Sequence, residues 1–256
     1  EAYESWMLRR GLSRNTTSFY LRTLRTAYNL AVRQGLAPRK ENLFANVYTG
    51  FDKTRKRAVS LAHVRALLSL DLSSSASLRF ARDMFLFSFY MRGMPFVDMA
   101  YLRKTDLRGN VVTYRRRKTR QLLSIEWEEP MRRIVSSYVN ADSPYMLPII
   151  SDCAGDTRKQ YQNVLRNVNR GLRRLSSLIG LDIPLSSYSA RHTWASAARQ
   201  LNIPVSVISE GMGHDSEKTT RIYLASLDTS VIDGANRKII GEVLSVLACI
   251  SEMNHK

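Results

Sequence analysis

The chain has 256 residues, a formal net charge of +17 and a pI near 10.3, so it can bury one large or two modest cores and seeks anionic partners, polyphosphates first among them. Charge alone leaves a ribosomal-type or membrane-surface protein open. Cys153 and Cys249 stand alone without CxxC spacing, which argues against a disulfide framework or zinc site; there is neither a bilayer-spanning apolar run nor a signal-peptide pattern, and a reducing, cytosolic compartment is expected.

The chain opens at Glu1 and not at a methionine, which leaves room for residues upstream. Residues 15–34, "NTTSFYLRTLRTAYNLAVRQ", carry Tyr20, Leu24, Ala27 and Ala31 at helical spacing, with Asn15 as cap and Gly35 as stop. Arg22, Arg25 and Arg33 fall on the opposite side of the helical wheel. One face is expected in a core and the other on phosphates, the alternative being a merely solvated basic face. Residues 49–57, "TGFDKTRKR", have no apolar period and a dense basic cluster including Arg55, Lys56 and Arg57. They read as a linker lying on a polyanion, and the boundary placed there divides 1–54 from 55–256.

After "SLAHVRALLSLDL", the stretch "FSFYMRGMPFVDM" at 87–99 ends an aromatic helix on Arg92 and breaks it at Pro95. Arginine is rarely buried without a partner, so a carboxylate or an anionic ligand should face it. Gly93 suits a left-handed cap and Pro95 the first turn of a new helix. "NVVTYRRRKTRQLLSIEW" then changes period: Val112 and Tyr114 alternate, as do Leu123 and Ile125, around a charged tip at Arg115 to Arg120. That is a β-hairpin or short sheet. "YQNVLRNVNRGLRRLSSLIG" returns to helical spacing, and "KIIGEVLSVLACI" puts Ile239, Ile240, Val243, Leu244 and Leu247 on one helical face. The fold expected is mainly α with a small β-hairpin or sheet, without internal repeats or low-complexity tracts.

Residues 186–228 hold the chemistry: Arg191, His214 and Tyr223 follow one another, with Gly211 and Gly213 before the histidine and Thr219-Thr220 before the tyrosine. This resembles the C-terminal box of the tyrosine recombinase (phage integrase) family, HxxRH followed by a GH dipeptide and a nucleophilic tyrosine. The resemblance extends over the whole chain and implies an N-terminal helical, SAM-like core-binding domain followed by a catalytic domain. The "RGMPFVDM" form is similar to an integrase and invertase subgroup of gut Bacteroidales.

The roles it implies obey ordinary phosphoryl chemistry. Attack by Tyr223 needs the charge on the phosphoryl oxygens neutralised and the leaving alkoxide protonated. Arg191 would clamp the phosphate in bidentate fashion, His214 would donate to a non-bridging oxygen, and Lys118 in "RRRKTRQ" would protonate the departing 5′ oxygen. Arg115, Arg116, Arg117 and Arg120 would contact DNA beside it, leaving open that Lys118 is itself a phosphate contact. The 3′-phosphotyrosine conserves bond energy, so no metal, ATP or other cofactor is implied.

Two positions depart from the family pattern. Tyr188 stands where HxxR has histidine, and a phenol is a poor proton acceptor at neutral pH; His192 reads as structural. Aligning Asp98 on the acidic position of the family's "GLRxxEL" puts Pro95 where the first arginine belongs. Arg92 is therefore expected to act as a displaced clamp, against the alternative that it pairs with Asp98 or caps its helix. The apolar tail beyond Tyr223 implies exchange between protomers of a DNA-bound homo-tetramer, in a bacterial cytoplasm at the nucleoid. The function implied is site-specific recombination through a 3′-phosphotyrosyl intermediate; a type IB topoisomerase-like enzyme and an inactive architectural DNA-binding protein are the alternatives.

Overall fold

The computed structural model describes residues 1–52, 57–138, 142–151, 155–214 and 216–224, without the side chains of Ile222 and Tyr223. Arg55, Lys56 and the apolar tail fall outside the described residues. The chain divides into two compact units, Glu1–Arg55 and Lys56–Lys256.

The first unit pairs α1 (Ala2–Arg9) with α2 (Arg14–Arg33). The Ser13 hydroxyl accepts from the Thr16 backbone N–H at the start of α2, so the cap lies two residues earlier than Asn15. Asn15 instead brackets Asp52, donating to its carbonyl at 3.0 Å and accepting from its N–H at 2.8 Å. Ser18 donates to the Gly50 carbonyl at 2.6 Å.

These bonds correct the expected orientation of α2. Its buried face is Thr17, Ser18 and Leu21, whereas Tyr20 is 45% and Leu24 48% exposed and Ala27 faces solvent. The 48–52 segment needs partners for its backbone polar groups. Small hydroxyl and amide side chains satisfy them at close range, and apolar periodicity alone did not reveal that.

In the second unit, α3 (Leu61–Ser69) leads to α4 (Ala76–Tyr90), whose Leu78, Ala81, Met84, Phe85, Leu86 and Phe87 are buried. A short α5 (Phe96–Ala100) follows the break, with Pro95 at its N-cap, one residue outside the first turn expected. The hairpin is observed as β2 (Val111–Arg115) antiparallel to β3 (Leu122–Glu126), with Val112 opposite Ile125 and Tyr114 opposite Leu123. A two-residue β1 (Leu107–Arg108) makes it a three-stranded sheet. Val112, Tyr114, Leu123 and Ile125 turn inward into the core that also holds Phe87 and Trp127.

Helices α6 (Glu129–Ser136) and α7 (Thr157–Leu178) both pack on α4. α8 (Ser189–Gln200), α9 (Val205–Gly211) and α10 (Glu217–Tyr223) complete the unit. Among the described residues no helix is long and apolar enough to cross a membrane.

At Gly171 α7 lies hard against α4: a Cβ there would stand 2.6 Å from the Ala81 Cβ. Gly171→Ala gains about 1 kcal/mol of helix propensity and incurs overpacking of about 1 to 3 kcal/mol. Chemical denaturation should therefore find the variant less stable than the parent, with the loss recovered in the Gly171→Ala, Ala81→Gly double variant.

Candidate active site

Three chain reversals bring the sequence-predicted residues together. At the end of α4, the Gly93 N–H reaches back to the Ser88 carbonyl at 2.8 Å, a Schellman-type stop with Arg92 in the left-handed region at φ +55° and Gly93 at +71°. A Cβ on Gly93 would stand 2.7 Å from the Arg191 Cα, so glycine is required by contact as well as by φ. At the end of α9, the His214 N–H bonds the Ser209 carbonyl and the Gly213 N–H that of Glu210, with Gly213 at φ +65°. Here a Cβ would press on the Arg116 Cδ at 2.8 Å and the Leu123 Cδ1 at 3.0 Å. The third reversal is the hairpin tip, closed by Arg116 N–H to the Gln121 carbonyl and Arg120 N–H to the Arg116 carbonyl, both 2.8 Å, with Arg120 at φ +63°.

Arg191, on the first turn of α8, is only 2% exposed. Its Nη1 donates to the Gly93 carbonyl at 2.8 Å, and its Nη2 to the Met212 carbonyl and to His214 Nε2, both at 2.7 Å. A guanidinium can only donate, so Nε2 of His214 accepts and Nδ1 carries the proton toward Thr220 Oγ1, 2.8 Å away. Burial, with Arg191, Arg116 and Lys118 nearby, pushes the His214 pKa down to about 4. The ring is a neutral acceptor that orients Arg191.

Asp98 on α5 is 5% exposed; it accepts from the Arg117 backbone N–H at 3.0 Å and lies 3.7 Å from Arg116 Nε. Burial raises its pKa, opposed by that N–H and by the Arg116, Arg191 and Arg117 charges.

Residues 63–230 match the model of the phage integrase family, and residues 1–47 that of the phage integrase SAM-like domain. The chain belongs to the phage integrase family. It is a tyrosine recombinase, an enzyme class that cleaves and rejoins DNA at specific sites. Solved integrase-fold structures agree in fold. An integrase of the Tn1549 transposon, solved in complex with circular intermediate DNA, is 15% identical with a TM-score of 0.68, over 92% of this chain and 82% of that one. A lambda integrase dimer bound to a core site is 14% identical with a TM-score of 0.65, over 87% and 77%. XerA recombinase is 16% identical with a TM-score of 0.52, over 93% and 81%. Among curated proteins no sequence matches the chain.

Within this integrase fold, Arg191, His214, Arg92 and the Lys118 hairpin are brought to one cluster. The Arg92 side chain crosses the last turn of α9, its Cδ 3.7 Å from where a Gly211 Cβ would stand, and its Nη1 reaches the Ser124 carbonyl at 3.4 Å. Asp98, the alternative partner considered for Arg92, is held by Arg116 and Arg117 instead. Lys118 is exposed at the hairpin tip. Tyr188, 40% exposed, caps α8 and sets its ring edge-on to His192 at 5.2 Å. Tyr223 ends α10, one turn beyond Thr220; its side chain lies outside the described residues.

The hairpin arginines separate into two kinds. Arg115, Arg117 and Arg120 are exposed, Arg115 donating to the Arg120 carbonyl at 2.7 Å and Arg117 lying 3.9 Å over the Tyr101 ring. Arg116, grouped with them as a DNA contact, is 5% exposed and donates through Nη1 to the Met212 and Gly213 carbonyls. This correction has a simple cause: Val112, Tyr114 and Arg116 share one face of a period-two strand. Continuing that alternation by one more step would have found it. Thr220 was the other residue whose role the sequence did not disclose.

In the first unit, Arg25 and Arg33 line a groove of about 870 Å³ with Arg39 and Lys40. Arg22 packs 4.0 Å over the Phe51 ring. Arg57 is exposed at the start of the second unit's described chain.

Two outcomes follow from these geometries. His214 has a folded pKa below its usual 6.5, so the unfolded chain binds the extra proton; the stability this contributes is complete above about 6.5 and is lost as pH falls toward about 4. Melting followed across that window should show a slope that His214→Gln flattens. Arg92→Gly relieves left-handed strain of about 1 to 2 kcal/mol and adds unfolded-chain entropy of roughly 0.5 to 1 kcal/mol. Denaturant titration should find that variant no less stable than the parent.

Proposed function

We propose that this recombinase cleaves duplex DNA by attack of the Tyr223 hydroxyl on a backbone phosphate, giving a 3′-phosphotyrosyl bond and a free 5′ hydroxyl. In the attack, the Tyr223 oxygen bonds phosphorus and the bond to the 5′ oxygen breaks. Lys118 supplies the proton to that oxygen. Arg191 and Arg92 neutralise the phosphoryl oxygens, an electrostatic contribution that a dry, pre-ordered site makes large. His214 acts through Arg191: its Nε2 is already an acceptor, where the sequence had suggested a donor to the phosphate. Tyr188, a partly exposed phenol, can donate a hydrogen bond to the same phosphate.

The observation that carries this reading is the convergence of Arg191, His214 and Arg92 beside the lysine-bearing hairpin, with His214 tied to Thr220 one turn before Tyr223. The DNA surface would comprise Arg22, Arg25 and Arg33 in residues 1–54, the linker residues Arg55, Lys56 and Arg57, and the exposed hairpin arginines Arg115, Arg117 and Arg120. The exposed side of α7, with Lys159, Gln162, Asn163, Arg166, Asn167 and Arg170 and no acidic residue along its length, has the side-chain types that read base edges. Residues 55–256 would hold all the chemistry. The apolar strip Ile239, Ile240, Val243, Leu244 and Leu247 would dock on a neighbouring protomer and close a homo-tetramer on two synapsed sites, in the bacterial cytoplasm at the nucleoid.

Covalent trapping tests the reading. The protein is incubated with pooled, nicked genomic fragments from its source, and adducts isolated under denaturing conditions are sequenced. The parent should yield adducts sharing one sequence, Tyr223→Phe none, and Arg92→Gly at least about 10²-fold fewer despite its intact fold. Salt-sensitive DNA binding with no adduct on any fragment would leave an architectural protein instead. Adducts scattered without a shared sequence would indicate topoisomerase-like action.

A further inference from the structure

We infer that Arg116 is a positioning residue that latches the hairpin so that Lys118 stands over the scissile phosphate. The inference rests on the proposed general-acid role of Lys118. Arg116 lies two residues before Lys118, at the point where strand β2 gives way to the tip. Its Nη1 donates to the Met212 and Gly213 carbonyls and its Nε faces Asp98 at 3.7 Å. Arg191 donates to the same Met212 carbonyl. The hairpin and the phosphate-clamping arginine are therefore held to one atom, and Asp98 adds α5 to the latch through the Arg117 N–H.

Other contacts show why a latch is needed. In the closed tip Thr119 Oγ1 and Gln121 Oε1 are buried without hydrogen bonds, as is Arg116 Nε, whose tie to Asp98 is one of charge alone. Both oxygens would regain water if the tip lifted, so this packing favours an open hairpin. The charge-assisted bonds of Arg116 oppose that release. Without them Lys118, itself exposed, loses its fixed placement while Arg191 and His214 keep theirs.

The test uses the full-length protein on an oligonucleotide of the trapped site, made once with the ordinary 5′ bridging oxygen and once with sulfur in its place. The P–S bond breaks to a thiolate that needs no proton, so a defect in proton delivery disappears on that substrate. Arg116→Gln should slow cleavage of the oxygen substrate by about 10²-fold, as Lys118→Ala does, and both should return to near the parent rate on the sulfur substrate. Arg116→Lys should recover part of the rate on oxygen. Arg116→Gln slow on both substrates, or fast on both, overturns the latch; the first result would make Arg116 a direct phosphate contact. Lys118→Ala slow on both would instead remove the general-acid reading. Hydrogen exchange decides the latch independently of any DNA site: Arg116→Gln should raise exchange at amides 116–121 by tenfold or so and leave α4 unchanged. Unchanged protection at 116–121 overturns it.

Discussion

The carbonyl of Met212 accepts from two buried arginines, Arg191 at 2.7 Å and Arg116 at 3.2 Å. It does so because the α9 stop turns its peptide inward, with Gly213 in a conformation and a space that no side chain could share. From that oxygen the arrangement spreads outward: Arg191 to the Gly93 carbonyl at the end of α4, Arg116 to Asp98 on α5, His214 to Thr220 on α10. Buried guanidinium groups are stabilised by the acceptors they reach. Here the bonds of Arg191 and Arg116 tie the reversal at 93–98, the hairpin, α8 and the α9 stop to one another.

Much of this was legible in the sequence, for local reasons. The hairpin announced itself through its period of two, and the order Arg191, His214, Tyr223 together with the glycines around the histidine marked the candidate site, of which the structure brings Arg191 and His214 into contact. The end of the aromatic helix was misplaced by only two residues, because the left-handed turn expected at Gly93 already begins at Arg92. Where polar satisfaction governs packing, the sequence was less informative. The Tyr20 and Leu24 stripe on α2 lost its place to Thr17 and Ser18, whose partners come from a segment more than thirty residues away in the case of Ser18 and Gly50. A run of consecutive arginines likewise hides which guanidinium turns inward.

In the proposed reaction Arg92 takes the clamp's part that Pro95, standing in the arginine's usual position, cannot. Arg92 lies on the same chain reversal, three residues before Pro95. The left-handed turn at residue 92 sends its side chain across α9, toward Gly211 and the hairpin. Residues held in sparsely populated backbone regions tend to gather at functional sites, where surrounding packing sustains the strain.

Arg116, Arg191 and Arg117 act on the buried Asp98, while Arg92 lies near Tyr114 and Lys118 near His214, so the described cluster carries an excess of positive charge, part of it in a low-dielectric setting. A bound phosphate would relieve that repulsion as well as gain contacts. Binding and folding of the second unit are then thermodynamically linked: any polyanion that occupies the site selects the ordered cluster and raises its stability by mass action.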